Sequence, residues 1–114
     1  MKRYDLEERT MKFAKDVRIF CNELTKSATV NEDSKQLVRS SGSIGANYIE
    51  ANESLSKKDF IMRLKISRKE ARESRYWLEL LESNSQSSAD PSKLIREATE
   101  LIKIFSAIIT SSEK

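Results

Sequence analysis

Apolar and small residues recur in steps of four and three along four separate stretches, and that period dictates helices. The first stretch runs Leu6, Thr10, Phe13, Val17, Phe20 and Leu24. The second runs Leu37, Ser41, Ile44, Tyr48, Ala51 and Leu55. The third has Phe60, Leu64, Ser67, Ala71, Ser74, Leu78 and Leu81, and the fourth Leu94, Ala98, Leu101, Phe105 and Ile108. This spacing places each set on one side of a helix, as a seam that must be buried against another element. The chain of 114 residues has one proline and two glycines, too few breakers for the frequent turns of an all-β fold. The seams predict helices over about 4–27, 33–55, 57–83 and 91–112. Short connections force neighbours to run antiparallel. The expected fold is all-α, one up-down-up-down four-helix bundle domain spanning residues 1–114.

Local signals mark the joints. Ser56 to Asp59 ("SKKD") resembles a capping box opening the third helix, with Asp59 in the place of the usual Glu. In "ADPSK", Asp90 is placed to cap the fourth helix and Pro91 to occupy its first position. The connections fall at residues 29–33 ("TVNED") and 83–90 ("SNSQSSAD").

Both glycines, Gly42 and Gly45, lie in "RSSGSIGANYIEAN". A phosphate-binding loop needs a strand before such glycines, and a KH-type GxxG clamp needs a sheet. Neither is expected, and the second seam runs through the segment with Ser41 and Ile44 in register. Both glycines therefore belong inside a helix, where each costs roughly 1 kcal/mol relative to alanine. Val38, Gly42, Gly45 and Ile49 form a second stripe beside the seam. Small residues there let another backbone approach closely and gain dispersion contacts. A tightly packed interior helix and a subunit interface both fit. The third helix likewise carries Met62, Ile66, Trp77 and Leu80 beside its seam, more apolar surface than a lone bundle uses.

The chain contains no histidine and one cysteine, Cys21. That removes the commonest general base, every Ser–His or Cys–His pair and any internal disulfide. No ligand spacing suggests a metal, and no cofactor is expected. The first residues, "MKRYDLEERT", are charged with no apolar run behind them, so no signal peptide is expected. No stretch approaches the roughly 18 apolar residues of a membrane span. A reduced, cytoplasmic, non-enzymatic protein that avoids membranes is the expectation.

The net charge of +3 is unevenly spread: residues 57–75 hold eight basic and three acidic residues, a net of +5. Lys58, Lys65, Lys69, Arg72 and Tyr76 fall on one side of the third helix, with Arg68 close by, and the first helix adds Lys12, Lys15 and Arg18. A basic row with an aromatic fits phosphate binding; a solvated helix face produces the same pattern. Arg39, Ser43, Asn47 and Glu50 line a polar edge of the second helix. In a bundle that edge meets Glu70 and Glu73, Arg39 offering its fork to a carboxylate. A structural polar network is preferred there, because two carboxylates and an arginine lack a nucleophile or base.

"RSSGSIGANYIEAN" and "DFIMRLKISRKEARESRYWLELL" (59–81) together resemble the four-helix bundle family of bacterial 23S rRNA intervening-sequence proteins. The resemblance covers about residues 10–110. Arg39, Gly42, Ser43, Ile44, Ala46, Asn47 and Glu50 fall on the first motif, and Phe60, Leu64, Glu70, Ala71, Glu73, Trp77 and Leu78 on the second. The family often has glycine where this chain has Ala51. The resemblance implies a left-handed antiparallel bundle and a homopentameric ring. It also implies kinship with the nucleic-acid-binding accessory protein of diversity-generating retroelements. Two functions follow as expectations: an oligomer that binds RNA or DNA through its basic face, or a homo-oligomeric scaffold for a protein partner.

Overall fold

The computed structural model describes the backbone over residues 3–84 and 88–114, and side chains over 5–83 and 88–114. Four helices follow in order: α1 (Arg3–Asn22), α2 (Ala28–Asn52), α3 (Lys57–Asn84) and α4 (Ser92–Glu113). They pack into a rod of 46 × 21 × 20 Å. Each packs on its chain neighbours, and α4 closes back on α1 over a short stretch. Cross-helix partners run in opposite residue order, as antiparallel neighbours require. From α2 to α3, Ser40 meets Ser74, Ile44 meets Ser67 and Asn47 meets Arg63. From α3 to α4, Arg68 meets Ser106 and Arg75 meets Thr99.

The seams form the core. All six residues of the first are buried, as are Leu37, Ser41, Ile44, Tyr48 and Ala51 of the second and Leu64 to Leu81 of the third. Tyr48 and Phe105 meet edge to face across the bundle, with ring centroids 5.8 Å apart. Burying each such large side chain stabilises the fold by roughly 1.5–3 kcal/mol. Small polar residues bring α2 and α3 together. The Ser40 and Ser74 hydroxyls lie 2.8 Å apart, and Ser67 Oγ donates to the Ile44 carbonyl at 2.9 Å, so these buried hydroxyls are satisfied.

Several expectations shift. The first connection is residues 23–27, not 29–33, and "TVNED" belongs to the opening turns of α2. Ser27 is extended (φ −158°) and its hydroxyl accepts the Val30 N–H at 3.2 Å, a cap that starts α2 early and buries Val30. Leu24 stays buried although α1 has ended. Leu55, expected in the second seam, is fully exposed. The helix stops at Asn52, where the Glu53 and Ser54 amides turn back to the Glu50 and Ala51 carbonyls, and the period is lost. In α4 the buried line uses Ile102 and Ile109, and Ile108 is only partly buried.

The α3 cap follows the sequence, but α4 starts one residue later than expected, with Pro91 at the N-cap and Ser92 first in the helix. Ser56 Oγ accepts the Asp59 amide at 3.1 Å. Asp90 Oδ1 accepts from the Ser92 amide at 3.0 Å and hydroxyl at 2.7 Å. Of the expected connection 83–90, Ser83 and Asn84 still belong to α3 and residues 85–87 lie outside the described residues.

Candidate nucleic-acid interface

The seam of α3 faces inward, so the opposite side of the same helix faces solvent. Steps of seven, four, three and four carry Lys58, Lys65, Lys69, Arg72 and Tyr76 along that outer side, and all five are exposed. Lys65 Nζ lies 3.3 Å from the Glu113 carboxylate, both side chains half exposed. Such a surface pair contributes little and exchanges readily for another anion. Arg68 is half-buried and leans toward α4, Nη1 donating to Ser106 Oγ at 3.4 Å, at the edge of the row. Tyr76 is braced by the neighbouring Trp77, edge to face at 5.1 Å.

The apolar positions set apart in the sequence do not form one patch. Met62 is 47% exposed and shares the outer surface of α3 with the cations. With Ile61 and Ile66 it floors a shallow depression of about 860 Å³ walled by Lys57, Lys58, Lys65 and Lys69. Trp77 is partly buried against the core, and Leu80 is partly exposed one turn beyond Tyr76.

Val38, Gly42, Gly45 and Ile49 lie on the α1-facing side of α2. The two glycines differ. A Cβ on Gly45 would lie 2.8 Å from Thr10 Oγ1 and 3.2 Å from Thr10 Cβ, so α1 approaches α2 closely there. Thr10 is pinned, its hydroxyl donating to the Leu6 or Glu7 carbonyl at 2.9 and 3.0 Å. At Gly42 the nearest atom is the Arg18 guanidinium end at 3.6 Å, an ordinary contact, so close packing is confined to Gly45. Above Gly42 and Gly45 a groove of about 390 Å³ remains, flanked by Met11, Ala14, Ala46 and Ile49. Met11 is 53% and Ile49 43% exposed. Lys15 and Arg18 also line this groove, while Lys12 is bound to Asp16 at 2.7 Å. Since α1 and α3 are diagonal in the bundle, these cations do not extend the α3 row.

The polar edge assembles on the other side of α2. Arg39 reaches both Glu70 oxygens at 3.3 and 3.4 Å and Glu73 at 3.3 Å. Burial, and then hydrogen bonding to the Glu73 carboxyl, hold Glu70 above the usual carboxylate range, although Arg39 pulls the other way. Its hydrogen bond with Glu70 pulls Glu73 below that range. The two carboxyls are thus pushed in opposite directions while Arg39 bridges both. Asn47 Nδ2 donates to the Ser43 carbonyl at 2.9 Å, and Asn47 Oδ1 accepts from Arg63 at 3.0 Å. Glu50 is exposed, and its carbonyl accepts from Ser54. Arg63, counted in the sequence only among the basic residues of 57–75, joins this edge, and the bidentate pair Arg9–Glu97 (2.6 and 2.8 Å) joins α1 to α4. Asn47 and Arg63 lie on consecutive helices and Arg9 and Glu97 on the first and last, but neither pair falls on an apolar seam, so the period does not signal them.

Among the described residues no group of three or more His, Cys, Asp or Glu is placed to hold a metal ion. No helix among them is long and apolar enough to cross a membrane. The family described as 23S rRNA-intervening sequence protein matches residues 2–107. The chain belongs to that family. A solved structure of a protein of unknown function from the S23 ribosomal protein family of Bacteroides thetaiotaomicron is similar throughout. It is 34% identical, with a TM-score of 0.81, and the match covers 96% of this chain and 99% of that one. No curated protein matches. Within the 23S rRNA-intervening sequence family, then, this member combines an outward cation row on α3, an open α1–α2 groove and a polar clamp between α2 and α3.

Proposed function

We propose that the protein is a non-enzymatic, cytoplasmic, homo-oligomeric accessory protein that binds RNA or DNA phosphates through the outer face of α3. The observation that carries this reading is the row Lys58, Lys65, Lys69 and Arg72, all exposed along one helix. Flexible ammonium groups on a rigid axis suit a phosphate backbone and ask nothing of base sequence. The Arg39–Glu70–Glu73 cluster links α2 to α3 and pairs its arginine with two carboxylates, so it offers a polyanion less than the row does.

Oligomerisation supports the reading. The groove over Gly42 and Gly45, with exposed Met11 and Ile49 on its rims, fits a second copy of the chain, and a ring of five follows the family resemblance. Each copy would repeat the row, so weak phosphate contacts would act together. A scaffold for a protein partner is the competing reading, and it needs the groove to stay open in the assembled protein.

Filter binding of the native protein to unrelated RNA and DNA across a salt series tests the proposal. Binding at low salt that is tolerant of sequence and falls steeply with salt is expected. Undetectable binding at low salt contradicts it.

A further inference from the structure

The outer face of α3 is not a plain cation row. Between Lys58 and Lys65 it opens onto Ile61, Met62 and Ile66, and Lys57 and Lys69 complete a basic rim around this apolar floor. No carboxylate lines the depression itself, and the Glu113 carboxylate pairs with Lys65 at its rim at 3.3 Å. Further along, exposed Tyr76 stands on Trp77. From Lys58 to Tyr76 the helix rises about 27 Å, enough for several nucleotides in extended form.

We infer that this face binds single-stranded nucleic acid, one unpaired base lying on Ile61, Met62 and Ile66 and another stacking on Tyr76. The inference rests on the proposed nucleic-acid reading and narrows it to unpaired strands. A duplex keeps its bases stacked and offers this face only phosphates, so the apolar floor would stay wet beside it. An unpaired strand presents base faces and phosphates in alternation, matching the alternation of apolar and basic side chains on α3. An amphipathic partner helix fits less well. Its long apolar stripe would run past the depression onto Lys69 and Arg72, leaving those charges against apolar side chains.

The test compares one unstructured oligoribonucleotide, free and annealed to its complement. The native protein, Met62→Gln and Tyr76→Leu are titrated with each, and circular dichroism checks that both variants keep their helices. Both replaced side chains are exposed, so the fold should survive. The single strand should bind more tightly than the duplex. Each variant should weaken single-strand binding by about tenfold, leaving duplex binding and the salt slope unchanged. Equal or tighter duplex binding, or variants that affect neither strand form, would overturn the inference while leaving phosphate binding intact. Failure of the native protein to bind either form would remove both readings. Saturation of the face by an acidic amphipathic peptide, with neither nucleic acid bound, would assign it to a protein partner instead.

Discussion

Replacing each glycine of α2 by alanine should give changes of opposite sign. Alanine in a helix interior gains about 1 kcal/mol over glycine by restricting the unfolded chain. At Gly42 no clash opposes that gain, because the new Cβ meets only the Arg18 guanidinium at 3.6 Å, an ordinary contact. At Gly45 the new Cβ would fall 2.8 Å from Thr10 Oγ1. Thr10 is buried and its hydroxyl is held by α1 carbonyls, so α1 must shift outward, at about 1–3 kcal/mol for overfilling. Gly42→Ala should therefore stabilise by about 1 kcal/mol, and Gly45→Ala should destabilise by about 1 kcal/mol. For a chain of this size each corresponds to about 4 °C in melting temperature. Thermal melts at one protein concentration read both, which matters because assembly also shifts melting. Thr10→Ala removes the obstructing oxygen, so the double variant with Gly45→Ala should recover about 1 kcal/mol relative to additivity. The packing argument fails if Gly45→Ala raises the melting temperature as Gly42→Ala does, or if Thr10→Ala gives no recovery.

Other outcomes follow from the same geometry. Ile49→Lys should shift light-scattering mass toward the monomer while helicity is kept; an unchanged mass would show that the groove is not the subunit contact. Arg39→Lys should lower stability in urea by about 0.5–1 kcal/mol, since the half-exposed fork to Glu70 becomes a single contact; no change would make the clamp incidental. Glu70 takes up its proton above the ordinary glutamate range, so its contribution is full below that range and lost as pH rises through the raised value. Glu73 shifts the other way, and its contribution is lost only as pH falls below the ordinary range. As pH rises above the ordinary glutamate range, the native protein should thus lose melting temperature relative to Glu70→Gln, and a relative gain would contradict the assignment.

The seams were legible because a core-facing period survives any detail of capping. Five of six residues in the second seam are buried, and the sixth, Leu55, fails because α2 has already ended. The first joint was misread because Ser27, an ordinary serine in a polar stretch, outcompetes the more turn-like "TVNED" once Val30 has a core to enter. Arg39 and Glu70 could be paired from sequence because each flanks its seam on the side where neighbouring antiparallel helices meet. Whether a glycine is filled or open could not be read, since Gly42 and Gly45 occupy the same stripe. Only the divergence of α1 from Thr10 toward Arg18 distinguishes them. Met62 follows the same four-three-four step as Lys58, Lys65 and Lys69, so their common side was legible, but the depression between them was not. The periodic reading sorts residues onto sides, whereas the depression is made by side-chain length.

The central claim, that the α3 row holds phosphates, is tested most directly by one comparison of salt slopes. Native protein and the variant with Lys65, Lys69 and Arg72 all changed to glutamine are titrated with one single-stranded oligonucleotide across a salt series. A control carries the same charge loss at exposed Lys26, Lys93 and Lys103. Each lost phosphate contact removes about 0.7 from the slope on a single strand, so the row variant should flatten it by about two units and bind far more weakly at low salt. The control should keep the native slope. Equal slopes for the row variant and the native protein, or equal loss in the control, would show that α3 is not where the polyanion sits.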